Sequence, residues 1–186
     1  MGAKVKHVIE AFDLDPGRKL VGKYEVVSRL GSGWEGEVYK IVEVRTGYVE
    51  GELLSEFLAM LPGRRLSPFE GVHLLYALAR GIEQIHLQNE YHGDLHAENV
   101  IVSRYGLTFD VKLLDLYQWH GPRSENKQQD ILDLIRIFYD SLGGQRLYRR
   151  QPEAVRYICS GLKRSLILGK FRTMSQLREH LETMEW

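Results

Sequence analysis

The sequence predicts an α+β fold, a helical body carrying a small β-ribbon near its N-terminal end. Three observations predict it. Tyr24–Leu30 alternates with the period of a strand, runs into Gly31-Ser32-Gly33-Trp34-Glu35-Gly36, and resumes as Glu37-Val38-Tyr39-Lys40-Ile41-Val42. Ser67-Pro68-Phe69-Glu70 combines a capping Ser, Pro at the first helical position and Glu at the third, a strong helix start. Val100-Ile101-Val102 and Val111-Lys112-Leu113-Leu114 are short apolar runs on either side of a Tyr105-Gly106 turn.

The elements follow in order. Residues up to about Val21 read as a polar lead-in, with a short helix over Val5–Phe12 and a turn at Asp15-Pro16-Gly17. Residues 23–44 form the ribbon, whose glycines let backbone N–H groups approach a ligand without a Cβ clash. A glycine run of this kind also opens dinucleotide-binding folds, but there a helix follows the third Gly. Here β-branched and aromatic residues follow, which argues for a hairpin. Glu52–Met60 reads as a short helix closed by Pro62-Gly63. The helix begun at Ser67 runs to about Gln88 and buries Val72, Leu75, Leu78, Ala79, Ile82 and Ile85 as one stripe. Further helices are expected over Asp130–Leu142, stopping at Gly143-Gly144, then over Pro152–Leu166 and Met174–Met184, the last with Ser175 as its cap.

Composition narrows the function classes. The 186 residues fit one domain, and 44% hydrophobic content supports a packed core. Twenty-five basic and twenty-five acidic residues cancel, which points away from nucleic acid and from a membrane surface as partners. Cys159 is the one cysteine; it excludes an internal disulfide, favours a reducing, cytoplasmic setting, and reads as a small buried hydrophobe. No apolar run reaches transmembrane length, no secretory h-region is expected, and Lys6 spoils the myristoylation pattern that Met1-Gly2 begins.

The stretch richest in chemistry is His92-Gly93-Asp94-Leu95-His96-Ala97-Glu98-Asn99, with Asp115 sixteen residues past the Asn. An acid, an amide five residues on, and a second acid at the end of an apolar strand suit phosphoryl transfer. Asp94 can accept a proton from an attacking hydroxyl. Asn99 and Asp115 offer the hard oxygens that Mg²⁺ prefers, and the metal neutralises charge on a transferring phosphate. His92 and Glu98 read as packing residues. His96 fits either a structural role or a phosphate contact.

Together these segments resemble the eukaryotic-type protein kinase family. The glycine loop is similar to the family's GxGxxGxV pattern through Gly31, Gly33, Gly36 and Val38, with Ser32 between the first two. Asp94 stands at the catalytic base, Asn99 and Asp115 at the metal-binding positions. The resemblance implies a kinase-like α+β fold, with a helical C-lobe and a remnant β-hairpin N-lobe. It implies ATP and Mg²⁺ as cofactors, an adenine ring between Val38 and Ile101, and a hinge over Tyr48–Leu53 that includes Glu50. It also implies that Asp130 anchors the catalytic loop. The corresponding division is a lead-in over 1–22, the remnant N-lobe over 23–47, the hinge-like segment over 48–58 and the C-lobe over 59–186.

The departures carry information too. The family's usual Arg is Gly93 and its usual Lys is His96, so His-Gly-Asp-Leu-His is similar to small-molecule kinases such as the aminoglycoside phosphotransferases. Asp115 and Asp130 are separated by fourteen residues, leaving a minimal activation segment. No Val-Ala-x-Lys strand and no partner-Glu helix lie between the ribbon and the hinge-like segment. Lys40 shares a strand face with Val38 but points away from the glycine turn. Two functions follow. One is an ATP–Mg²⁺ phosphotransferase acting on Ser or Thr of a protein, or on a small-molecule acceptor, with chemistry impaired by the missing pair. The other is a pseudokinase-like module acting by association. A two-stranded ribbon is marginal alone, so a homodimer through this ribbon is expected.

Overall fold

In the computed structural model, the described residues are 14–20, 24–33, 36–43, 51–117 and 121–184. The helix expected over Val5–Phe12, the turn at Trp34-Glu35 and the hinge-like Tyr48–Glu50 lie outside them. The chain divides into two compact units, Met1–Glu50 and Gly51–Trp186.

The first unit holds a three-stranded antiparallel sheet in the order β1 (Lys19–Leu20), β2 (Tyr24–Gly33), β3 (Gly36–Glu43). The ribbon is therefore not two-stranded, as expected from sequence. The end of the lead-in supplies a third strand, with Lys19 opposite Glu25 and Leu20 opposite Tyr24. Asp15-Pro16-Gly17 turns the chain into it, with Arg18 N–H donating to the Asp15 carbonyl at 3.1 Å and Gly17 at φ +86°. In the β2–β3 hairpin, Gly33 stands opposite Gly36, Ser32 opposite Glu37 and Gly31 opposite Val38. The chain after the third glycine is a strand, so the dinucleotide-fold alternative falls. Register shifts at Val27 and Leu30 bulge β2, which raises its local twist. Val26 is buried, whereas Val27 and Ile41 are exposed.

The second unit is the helical body. Its long helix α2 (Pro68–Leu87) starts as the sequence signals. Ser67 Oγ accepts the Glu70 N–H at 3.3 Å, and Glu70 Oε2 accepts the Ser67 N–H at 2.9 Å, a complete capping box. One face of α2 buries Val72, Leu74, Leu75, Leu78, Ala79 and Ile82 against α3 (Arg123–Ser141), α7 (Met174–Thr183) and the strand Thr108–Leu113. Each of the larger side chains, Ala79 excepted, contributes about 1.5–3 kcal/mol of burial free energy. Ile85, placed on that stripe by the sequence, is only partly buried. Gly71 is needed where α2 meets α3, because a Cβ there would stand 2.5 Å from Leu142 Cδ2. Arg178 ties α7 to α2, bonding Glu83 at 2.7 Å and Glu182 at 2.6 Å.

A second antiparallel sheet, β4 (Glu52–Leu53), β5 (Val100–Tyr105) and β6 (Thr108–Leu113), lies on this body. The Tyr105-Gly106 turn forms as expected, with Tyr105 opposite Thr108 and Gly106 at φ +65°. The expected helix at Glu52 begins two residues later, as α1 (Leu54–Met60), because Glu52 and Leu53 pair with Val102 and Ile101. Gly51 precedes this strand at φ +127°, and a Cβ on it would meet the Val102 carbonyl at 2.7 Å. Only glycine fits there.

The C-terminal helices are more broken than expected. After α3 comes a short α4 (Gly144–Tyr148), whose N-cap Gly143 has φ +100°. The helix expected over Pro152–Leu166 is two, α5 (Glu153–Cys159) and α6 (Arg164–Lys170). Ser160, Gly161 and Leu162 between them all have φ between +48° and +60°. Tyr148 Oη accepts the Gly161 N–H at 2.8 Å and Lys170 Nζ donates to Ser160 Oγ at 2.9 Å, fixing the break. The cap of α7 is Thr173, whose hydroxyl accepts the Gln176 N–H, not Ser175.

The Glu70 carboxylate is held down to about pKa 2 from 4.5, first by the Ser67 hydroxyl, then by the Ser67 N–H and the Arg104 guanidinium. A folded-state pKa below the unfolded one contributes stability that is complete above pH 4.5 and is lost as pH falls towards 2. Glu70→Gln is therefore expected to flatten the acid limb of a thermal-melt series in that window while leaving its neutral slope alone. Parallel acid limbs in variant and wild type would refute the assignment.

Candidate functional site

The site is built on the loop between α2 and β5. Asp130, fully buried in α3, sits beneath it. Its Oδ2 accepts the His92 N–H at 2.8 Å and its Oδ1 the Gly93 N–H at 2.9 Å. A third bond comes from His86 in the last turn of α2, whose Nε2 lies 2.8 Å from Oδ2. Asp130 thus clamps the loop backbone and cannot be an N-cap, since α3 begins seven residues earlier at Arg123. His86 carried no signal in the sequence, because its partner lies 44 residues away.

Gly93 takes φ +82°, a left-handed conformation that its lack of Cβ makes free of strain. The turn it makes presents Asp94 outward, with the side chain about half exposed. The amide of Asn99, itself buried, donates from Nδ2 to the Asp94 carbonyl at 3.0 Å and to Asp94 Oδ2 at 3.2 Å. That fixes the carboxylate and leaves the Asn99 side-chain oxygen as its unspent acceptor. Asn99 closes the short 3₁₀ turn Ala97–Asn99, which His96 caps by accepting the Glu98 N–H on Nδ1. The other His96 nitrogen, Nε2, then faces Asp94 Oδ2 at 3.5 Å.

Two backbone bonds bring the Asp115 segment to the same loop. Leu114 N–H donates to the Asn99 carbonyl at 2.9 Å, and Tyr117 N–H to the His92 carbonyl at 2.7 Å. Between them Asp115 is exposed and held at φ +53°. A non-glycine residue there costs on the order of 1 kcal/mol, and such strain clusters at working sites. His92 is a buried support. Its Nδ1 accepts the Asp94 N–H at 3.3 Å, and burial lowers its pKa against the pull of Asp130. Asp133, one turn along α3, has its pKa raised by burial, with Asp130 and Asp94 adding to the effect. The site is therefore rich in negative charge and suits cationic ligands.

Asp94, His96, Asn99 and Asp115 are all in the second unit, and Ile101 follows on β5. Gly31, Ser32, Gly33, Gly36 and Val38 are in the hairpin of the first unit, and Glu50 lies outside the described residues. Among the described residues, Lys127 and Arg123 bond none of Asp94, Asn99 and Asp115. Lys127 Nζ donates to the His86 carbonyl at 2.9 Å, and Arg123 to the Asn89 carbonyl at 3.2 Å, so both close the C-terminal end of α2.

No protein-family profile matches this sequence. No curated protein matches it either. Solved structures do. A doubly substituted form of the Mycobacterium tuberculosis PknI kinase domain superposes with a TM-score of 0.52 at 16% identity, covering 91% of this chain and 97% of that one. A second double mutant of the same domain gives 0.51 at 16%, covering 92% and 97%. A single mutant gives 0.51 at 15%, covering 91% and 99%. The chain has a protein-kinase-like fold, with a helical C-terminal body and a small N-terminal β-sheet.

Proposed function

We propose that the chain is a kinase-like phosphotransferase whose catalytic loop handles an ATP–Mg²⁺ substrate, with Asp94 as the base that orients the acceptor hydroxyl. The observation that carries this is the Asn99 amide locked onto Asp94 while Asp130 clamps His92 and Gly93 beneath it. A structural turn needs none of these three side chains. The kinase-like fold supports the same reading. Asn99 and Asp115 would hold Mg²⁺, whose charge stabilises the transferring phosphoryl group. The residues fit that role: Asn99 keeps a free oxygen, and Asp115 is an exposed carboxylate one residue past the strand bond to Asn99. The hairpin glycines and Val38 would meet the nucleotide, and Ser or Thr of a protein is the acceptor class, with a small molecule as the variant.

A second reading, a module that acts by association, is favoured by chain length. Only residues 44–51 separate β3 from β4, too few for a strand and a helix carrying a Lys–Glu pair. Val27 and Ile41 are exposed apolar side chains on the sheet of the first unit, which a second copy could cover. One series separates the two readings. ATP with Mg²⁺ is expected to raise the melting temperature of the full chain, and Asp115→Ala to abolish the shift, because a ligand that binds only the folded state stabilises it. No Mg²⁺-dependent shift, with a dimer mass in light scattering, would leave association as the function.

A further inference from the structure

A cavity of about 310 Å³ opens between the last turns of α2, the first turns of α3 and the start of α7. That is the lower end of the size range of small-molecule sites. Its floor is apolar: Ile131 and Met174 line it, each only 1% exposed overall. Its wall carries two cations. Lys127 donates to the His86 carbonyl at 2.9 Å and to Asn89 Oδ1 at 3.1 Å, both neutral acceptors, so its charge is not cancelled. Arg172 is exposed, and among the described residues its guanidinium meets no carboxylate. The carboxylate on the wall, Glu83, is neutralised by Arg178 at 2.7 Å. The hydroxyls of Ser124 and Ser175 complete a polar rim around a dry base.

We propose that this cavity binds a small organic anion with an apolar body, its head on Lys127 and Arg172 and its body over Ile131 and Met174. Two uncancelled positive charges above an apolar floor select that chemistry. A bare inorganic ion gains nothing from the floor, and a neutral apolar molecule gains nothing from the cations. The cavity wall is also bonded, through Asp130, to the catalytic loop. His86 forms part of the same wall, and its imidazole holds Asp130, which in turn holds the His92 and Gly93 amides. A ligand that steadies His86 steadies those two bonds, so the cavity and the loop are energetically linked.

The probe is 8-anilino-1-naphthalenesulfonate, titrated into the full-length folded chain near neutral pH and followed by its emission. One saturable site per chain is expected. Arg172→Glu is expected to weaken it at least about tenfold, a difference of about 1.4 kcal/mol. Arg172→Ala should weaken it less, and the analogue without the sulfonate should bind wild type and Arg172→Glu alike. Circular dichroism confirms that both variants fold, since Arg172 is a surface residue. Unsaturable binding, or equal affinity for wild type and Arg172→Glu, overturns the site. Saturating probe is also expected to slow hydrogen exchange at the His92 and Gly93 amides, and unchanged exchange under one-to-one binding overturns the link. Neither readout uses ATP or turnover, so the outcome is independent of the phosphotransfer reading.

Discussion

Asp94→Asn is expected to lower turnover by about 10²–10⁴-fold, the range a positioned general base supplies. The substitution is nearly isosteric and keeps an oxygen for the Asn99 Nδ2 donor, now 3.2 Å from Asp94 Oδ2. The fold and nucleotide affinity should therefore stay close to wild type. On the proposed phosphotransfer, what is lost is the negative charge that would pull the proton from the acceptor hydroxyl. The measurement is phosphate transfer from labelled ATP with a generic protein acceptor, alongside the ATP–Mg²⁺ melting shift. Loss of turnover with an intact shift is the expected pair. An Asp94→Asn protein as active as wild type would remove Asp94 from the chemistry. If wild type itself transfers no phosphate, the association reading stands instead.

Asp130→Ala is expected to be strongly destabilising. It leaves the His92 and Gly93 N–H groups without the acceptors they now meet at 2.8 and 2.9 Å, in a spot where Asp130 is wholly buried. Each orphaned donor costs about 1–3 kcal/mol, so the two together cost about 2–6 kcal/mol. Asp130→Asn should cost less, because its amide keeps one acceptor oxygen. Urea unfolding checks both, with the midpoint falling in the order wild type, Asn, Ala at an unchanged slope. A midpoint for Asp130→Ala within error of wild type would show that the clamp is redundant.

The parts legible in the sequence are those whose cause is local. Ser67, Pro68 and Glu70 specify the start of α2 by bonds within four residues, and the capping box they imply is formed. The β2–β3 hairpin is legible because strand alternation resumes directly after Gly36. The start of α3 is not. Arg123–Gln129 is polar throughout, so hydrophobic periodicity is silent, and only the mild helix preference of Arg, Glu, Lys and Gln marks it. The two-residue β1 is too short to show any period and exists through its pairing with β2. The break between α5 and α6 depends on Tyr148 and Lys170, each some ten residues or more away. At the site, the sequence spacing marked Asp94, Asn99 and Asp115. It could not show that the Asn99 amide is spent on Asp94, nor that His86 completes the Asp130 clamp, because both are facts of tertiary approach.

Cys159 has a consequence of its own. Its thiol is completely buried in α5, and burial pushes its pKa up to about 12. Thiolate is the reactive form, so alkylating reagents at neutral pH find almost nothing to attack while the helices stay shut. As the one sulfhydryl in the chain, it turns covalent labelling into a clock for the opening of the helical body. Mass spectrometry after timed exposure to iodoacetamide would read how often that interior breathes, with no tag and no substitution introduced.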